Sequence, residues 1–578
     1  MNVLDKKYIE SLKKINIREI AETIYGKARC TKEVEDYQMT AYVMAYILYM
    51  CDANFDKYSS SRSKEDFLER FDAPENIKEI INRHLSPDWN SFIALSQQYT
   101  KDDFLAYLLF YNGPFHRSHG YYSTPESILR LACAILDIKE NDKVLDLCSG
   151  TGTLLVEATR KSSGFHYTGV ELNYMYKEVA ELRASILGED AKLEICDALE
   201  YVGPEKVNKI FSNYPFGTRL IGKSNIISEL SETLGIPYDT LARSSADWAY
   251  FAAIANRTSV NNKAVIIMPS STAFNLRDKH IREFFVQKGF IEAVITLPAR
   301  MFQEFGISTS LFVLSSGNES VKLVDASNIG THRRGLASFS DEDVERILSE
   351  LENGGDKVVI KTISELAEND YFLGAYRYLE SPVTIENGMK LSQVAEISRG
   401  AALGRSAMEE LASKEPTPYR YLTSANICDG TLSLEEGQYL KELPRKMEKY
   451  SVRNNDIVLL RTASSDFKSA VVKLEEGTEA IITGNLYLIR ANEEKLDPFF
   501  LQAFFSSETG TKLFSSICVG STLPIISLDN LKNMEVPVPP LDEQKEIGLV
   551  YAAAMDEAVL LKRKLAQSLE KMAHAYNR

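Results

Sequence analysis

The sequence predicts a multidomain α/β protein: an N-terminal helical domain, a doubly wound Rossmann-like core, and a C-terminal α+β domain that ends in a long helix. Three observations predict it. Short apolar runs alternate with amphipathic stretches from His116 to Ser316; the texture changes to brief β-like pieces and turns after residue 387; and from Asp542 onward apolar residues recur at threes, fours and sevens. These shifts divide the 578 residues into 1–115, 116–318, a connecting segment 319–386, 387–541 and 542–578.

Within residues 1–115, apolar positions between Glu65 and Gln98 fall at helical spacing, with Pro74 and Pro87 as breaks. Asp102 and Asp103 open a further helix with acidic residues in its first turn, where they favour the helix dipole. In the core, Lys143–Leu147, Tyr167–Glu171, Lys209–Ser212, Ala264–Met268 and Ile291–Ile295 read as buried strands, and Leu154–Arg160 as the helix after the first. The connector holds an acidic helix from Asp341. Asn455–Arg461 and Ala480–Gly484 are β-like pieces of the fourth segment. In the last segment Ile547, Tyr551, Ala554, Leu561, Leu565, Leu569 and Met572 form an apolar seam suited to a helical partner.

Composition narrows the classes. An apolar content of 44 % and 25 % charged residues fit a globular protein with a sizeable core. No apolar run approaches the ~20 residues that span a bilayer, and Met1–Lys7 lacks a signal-peptide layout, so a cytoplasmic protein with no membrane partner is expected. Seven scattered cysteines without a Cys-x-x-Cys pair predict reduced thiols and no metal site. The net charge of −15 argues against nucleic acid only at face value, because DNA responds to local potential. Between Lys441 and Lys473 eight cationic residues stand against four acidic ones, a candidate phosphate-contacting surface.

The turn Asp146-Leu147-Cys148-Ser149-Gly150-Thr151-Gly152 joins the first core strand to its helix, where Gly150 and Gly152 let the backbone approach a ligand. Glu171 ends the next strand about 20 residues on, the place where an acid holds ribose hydroxyls, and Asp197 ends the one after. Each acid alone also fits a cap or a solvated loop end. Three acids at successive strand ends share one crevice. No Gly-x-x-x-x-Gly-Lys-Ser/Thr is present, so a nucleoside triphosphate is not the expected ligand.

Asn213-Tyr214-Pro215-Phe216 follows the short strand Lys209–Ser212. An amide, a turn held extended before Pro215 and an aromatic ring suit the gripping of a flat base by its amino group. The tetrapeptide resembles the Asn-Pro-Pro-aromatic signature of amino-directed DNA methyltransferases, with Tyr214 where the first proline is usual. With Gly120-Tyr121-Tyr122-Ser123-Thr124-Pro125, the Asp146 turn, Glu171, Asp197 and Ile291–Pro298, the order is similar to the gamma arrangement of that family. Leu297–Phe302 leading to Gly306–Ser310 resembles the modification subunit of type I restriction enzymes.

The resemblance implies S-adenosylmethionine as cofactor. Tyr122, Thr124 and Pro125 would border its methionine end; Asp146, Cys148, Gly150 and Gly152 would support its backbone. Glu171 would take the ribose, Asp197 the adenine ring, and Asn213 would reach both cofactor and substrate. It also implies catalysis by Asn213, Tyr214, Pro215 and Phe216 on adenine N6 of duplex DNA.

Leu391–Gly400 and the closing run Gly520–Ser527 through Pro537–Gln544 are similar to the ends of a type I specificity-subunit recognition domain. Arg399, Arg405, Arg461 and Lys468 are the candidate DNA-contacting residues, since long cationic donors reach guanine acceptors. One recognition domain and one helix imply a homodimer paired through the terminal seam, reading a two-part site. A separate restriction or specificity subunit is a further possible partner. Two alternatives stay open. One is an inert, cofactor-binding, sequence-specific DNA-binding protein. The other is an amino-group methylase acting on RNA or protein.

Overall fold

The computed structural model describes residues 6–573 except 31–35, 52–60, 62, 87, 113–121, 204–206, 259–261, 334, 380–384, 429, 435–437, 463–466 and 520–524. Expectations that rest on Pro87, Gly120–Tyr121 and Gly520–Pro524 therefore lie outside the described residues, as does the side chain of Arg405. The chain forms two compact units, Met1–Leu379 and Glu380–Arg578.

The first unit is built on a nine-stranded sheet. Its strands include β1 (Lys143–Leu147), β2 (His166–Glu171), β3 (Asp190–Ile195), β4 (Lys209–Ser212), β5 (Lys263–Pro269), β6 (Ile291–Thr296), β7 (Thr309–Leu314) and β8 (Ser320–Asp325), with Val358–Thr362 at the edge beyond β8. The order is edge strand, β8, β6, β7, β5, β4, β1, β2, β3. From β3 to β5 all neighbours are parallel, whereas β7 runs antiparallel between β5 and β6. The chain leaves β1 toward β2 and β3, then returns to β4 on the other side. That reversal opens a crevice at the carboxyl ends of β1 and β4. Register levels the strand ends there: Leu147 pairs with both Val170 and Ser212.

Side chains alternate across the sheet. Val144, Phe211, Val265 and Ile267 face one apolar layer; Leu145, Leu147, Ile210, Ala264, Ile266 and Met268 face the other. The second layer is closed by helices Ser224–Leu234, Asp247–Ala255 and Lys279–Gln287. The first contains not only helices Glu126–Leu136, Thr153–Lys161 and Tyr174–Leu187 but also the helices of residues 6–110. The apolar core thus does not divide at the expected boundary of residue 115. Helix Tyr37–Cys51 shows why: its buried residues lie on all sides, so it needs cover all round.

The stretch 319–386, expected to be a connector, also supplies β8 and Val358–Thr362 to the sheet, and helix Asp341–Asn353 packs beside β8. Val321, Leu323 and Val324 are the buried residues of β8, too few to stand out beside the flanking charges.

The second unit holds a six-stranded sheet (from Ala395–Arg399 through Leu486–Ala491, Ile457–Leu460, Ser469–Val471 and Gly430–Leu432 to Ile427–Cys428) and a five-stranded sheet centred on Tyr419–Leu422. Helices Pro498–Phe505 and Glu508–Ile517 cover the former, and helix Leu541–Ala573 packs against Pro498–Phe505. Among the described residues no helix is long and apolar enough to cross a membrane.

Candidate active site

The crevice contains a cavity of about 360 Å³, lined by residues from four strand ends. Val170, Leu172, Ala198, Pro215 and Tyr250 give it apolar walls; Glu171, Asp197, Asn213, Ser123, Thr124, Ser149 and Thr151 give it polar points. Of the ten cofactor candidates, Tyr122, Thr124, Cys148, Gly150, Glu171, Asp197 and Asn213 line it, whereas Pro125, Asp146 and Gly152 do not.

Local geometry makes the first wall. After β1 the chain turns through Cys148, Gly150 and Gly152, all at positive φ (79°, 54° and 76°). At Gly152 an added Cβ would stand 3.0 Å from the Ala180 Cβ, so only glycine lets helix Thr153–Lys161 start this close to Tyr174–Leu187. The Cys148 and Ser149 amides both donate to the Val170 carbonyl, at 3.0 and 2.8 Å. The Glu171 carboxylate then accepts from the Gly150 amide at 2.8 Å and the Asn173 amide at 2.7 Å. Burial raises its pKa while these amides oppose the shift.

Asp146 lies beneath the turn. It is fully enclosed, accepts from the Tyr167 hydroxyl at 2.8 Å, and burial lifts its carboxyl to about 7. Its partner is thus on the neighbouring strand, and it does not line the cavity. Arg183, which sequence reasoning missed, supports the turn: Nη1 donates to the Thr151 carbonyl and hydroxyl at 2.8 and 2.9 Å. At the far end Asp197 accepts from the Leu199 amide at 2.9 Å and from Lys223 Nζ at 2.8 Å.

The tetrapeptide follows β4 directly. Asn213 Nδ2 donates to Thr124 Oγ1 at 2.7 Å, while Asn213 Oδ1 is buried with no partner. Ser123 Oγ and Ser149 Oγ, on two other lining residues, are likewise buried and unpartnered. Buried oxygens are ordinarily paired, so three unpartnered ones on residues that line one cavity set this region apart from the rest of the core. Tyr122, expected at the cofactor, is also tied to the tetrapeptide: its hydroxyl donates to the Tyr214 carbonyl at 3.3 Å and accepts from the Phe216 amide. Tyr214 turns its ring away from the cavity, where it is 1 % exposed, stacks on Tyr250 at 4.5 Å and donates to Asp247 at 2.8 Å. Phe216 is half-buried among Tyr122, Tyr214, Phe302 and Phe305, with ring centroids 5.4 to 6.2 Å away. Phe302 and Phe305 share one loop, in which Phe302 is buried and Phe305 is half-buried between the exposed Glu304 and Gly306.

In the second unit Arg399 Nε and Arg461 Nη1 converge on the Gly484 carbonyl, at 2.7 and 3.1 Å. The Arg461 guanidinium also lies 5.4 Å from the Tyr487 ring centre. Lys468 is exposed on the neighbouring strand connection, its carbonyl bonded to the Leu460 amide at 2.8 Å. Arg405 opens helix Arg405–Leu411. In the terminal helix Ile547, Leu561, Leu565, Leu569 and Met572 are exposed. Tyr551 instead reaches the Ser506 hydroxyl at 3.1 Å.

Comparison with known proteins adds the following. Residues 102–387 match the N-6 DNA Methylase family and residues 382–571 the Type I restriction modification DNA specificity domain. The chain is 26 % identical, over 55 % of its length, to the type I restriction enzyme MjaVIII methylase subunit of Methanocaldococcus jannaschii, of which it spans 59 %. It is 24 % identical, over 53 % of its length, to the type I restriction enzyme MpnII methylase subunit of Mycoplasma pneumoniae, of which it spans 62 %. The chain thus covers less than two thirds of these relatives. A solved type I restriction-modification system methyltransferase subunit from Streptococcus thermophilus is similar at 19 % identity and a TM-score of 0.43, over 58 % of this chain and 79 % of that one.

Proposed function

We infer that this chain, which belongs over residues 102–387 to the N-6 DNA methylase family and over residues 382–571 to the type I restriction modification DNA specificity domain family, is a site-specific DNA methyltransferase. It is type I restriction-modification-like and transfers a methyl group from S-adenosylmethionine to N6 of an adenine extruded from duplex DNA. One observation carries this reading: Asn213 lines the cavity directly after β4, its Nδ2 donates to Thr124 Oγ1, and its buried Oδ1 is left without a partner in the protein.

The cavity fits the cofactor. Glu171 holds an acceptor where ribose hydroxyls would donate, Asp197 lies at the far end for an adenine amino group, and the apolar walls suit an adenine ring. Thr124, Cys148 and Gly150 would border the remainder. S-adenosylmethionine bound there supplies an electrophilic methyl group on a sulfonium.

The residues' part is orientation. An adenine amino nitrogen is weakly nucleophilic because its lone pair is delocalised into the ring. Asn213 Oδ1 accepts one amino hydrogen, and the Tyr214 carbonyl accepts the other on the lone pair that Tyr122 does not use. Two acceptors favour a pyramidal nitrogen whose electrons point at the methyl, a preorganised electrostatic effect. The amino nitrogen would gain the methyl as the sulfonium S–CH3 bond breaks and a neutral thioether departs; its extra proton would pass to water, and no covalent enzyme intermediate would be needed. Phe216 stacks on the extruded base once one of its aromatic neighbours moves aside. That Tyr214 keeps its ring out of the cavity supports an active enzyme over the inert reading.

The test is Asn213→Ala. Methyl transfer to duplex DNA is expected to fall at least about a hundredfold, with cofactor binding by calorimetry preserved; an alanine variant with wild-type transfer would defeat the assignment.

We also propose that two copies pair through the exposed seam Leu561, Leu565, Leu569 and Met572, supplying two recognition domains. Light scattering should give twice the chain mass, reduced to one on Leu565→Glu; a wild-type monomer would refute the pairing. A separate restriction or specificity subunit remains a compatible partner.

A further inference from the structure

Residue 214 is held at three points. Its ring stacks on Tyr250 at 4.5 Å and an interplanar angle of 10°. Its hydroxyl donates to Asp247 Oδ1 at 2.8 Å. Its carbonyl takes the Tyr122 hydroxyl at 3.3 Å. Asp247 and Tyr250 stand one turn apart on helix Asp247–Ala255, and Tyr250 presents its other side to the cavity. Asn213 and Pro215 line that cavity while Tyr214 does not, so Tyr214 influences its contents through the main chain and through the two rings it packs against, Tyr250 and Phe216.

The choice of a phenol is informative. A phenylalanine here would bury as much apolar surface and need no partner, whereas a buried hydroxyl must be matched by an acceptor. A buried hydrogen-bonded pair adds little net stability over an apolar pair of similar shape, but it fixes direction. Burial and the Asp247 carboxylate both push the Tyr214 phenol well above its ordinary pKa, so it stays a neutral donor. At this position proline would otherwise set the backbone angle of the acceptor carbonyl.

We propose that Asp247 and Tyr250 hold Tyr214 as a buried post that aims the 214 carbonyl beside the Asn213 carboxamide, which makes Tyr214 and Asp247 positioning residues for methyl transfer. This rests on the assignment of the tetrapeptide to the base-gripping role above.

The experiment is a set of variants in the full chain, with kcat, KM for duplex DNA, cofactor Kd and thermal midpoint measured for each. Tyr214→Phe keeps the ring and its stacking, and should lower kcat about tenfold with KM and cofactor Kd within about twofold. Asp247→Ala should do the same, and the double variant should be no worse than either alone. Asp247→Asn keeps an acceptor oxygen and should retain most of kcat. A thermal midpoint that falls while kcat holds would overturn the proposal, as would loss of cofactor binding in step with kcat. Tyr214→Pro more active than the wild type would overturn it too. The two assignments fail separately: transfer surviving in Asn213→Ala removes the base-gripping role, whereas an inactive Asn213→Ala beside a fully active Tyr214→Phe removes only the post.

Discussion

Replacing Arg183 should loosen the cofactor turn and the helical layer together. The side chain is fully buried on helix Tyr174–Leu187. Its Nε donates to the Leu108 carbonyl at 2.8 Å, Nη1 to the Thr151 carbonyl and hydroxyl, and Nη2 to the Tyr111 carbonyl at 2.8 Å and Asn112 Oδ1 at 3.0 Å. Leu108 lies in the last turn of helix Lys101–Phe110, where carbonyls lack helical partners, so the guanidinium also caps that helix. Arg183→Leu removes a charged donor from three backbone carbonyls, of which that of Tyr111 keeps the Tyr42 hydroxyl. At about 1–2 kcal/mol each this costs roughly 3–6 kcal/mol, partly offset because no guanidinium then has to be desolvated. A net loss of about 3 kcal/mol is the expected reading from the urea midpoint. Because Thr151 belongs to the glycine turn, cofactor affinity by calorimetry should weaken about tenfold. Arg183→Lys should rescue only part, since an ammonium has three donors and no planar fork. An Arg183→Leu protein with an unchanged midpoint and affinity, or a lysine variant equal to wild type, would refute the reasoning.

Two further outcomes are expected. Burial raises the Asp146 carboxyl from 3.8 to about 7, so the folded state holds its proton more tightly than the unfolded chain does. Stability therefore falls as pH rises from about 4 to 7, by at most roughly 4 kcal/mol, and stays low above it. Asp146→Asn should flatten that slope and raise the thermal midpoint at pH 8; a variant less stable than wild type there would contradict it. Arg461→Ala should weaken cognate DNA binding by about 1–3 kcal/mol and relax sequence discrimination if the arginine reads a base edge. Equal weakening on all sequences, with a shallower salt dependence, would make the Arg399–Arg461 pair a phosphate contact instead.

The strands that frame the crevice were legible because each is a short, nearly continuous apolar run between turn residues, and β1, β2 and β4 appear within a residue of their expected ends. The cavity's acids were legible because strand-end spacing fixes where they fall. Tyr250, Arg183 and Asp247 were not. Each acts across the fold, and nothing near Asp247-Trp248-Ala249-Tyr250 separates a stacking wall from an ordinary apolar helix. The role of Tyr122 was half legible: its nearness to the site followed from the motif, but a grip on a backbone 92 residues away does not show in local pattern. The layering of residues 1–110 was hidden for a different reason. Helical periodicity reveals that a face is apolar, not which neighbour covers it.

The methylase family match begins at residue 102, yet the packing does not. Tyr42 and Tyr46 from helix Tyr37–Cys51 fill the same layer as Leu105, Leu108 and Leu182, and Arg83 and His84 close on the buried Glu178 carboxylate at 2.6 and 2.8 Å. A fragment trimmed to the homology border would lay bare a broad greasy flank and strand an acid in it. Dissecting this polypeptide into separately soluble pieces should therefore succeed near residue 380, the border of the two compact units, and fail near residue 100.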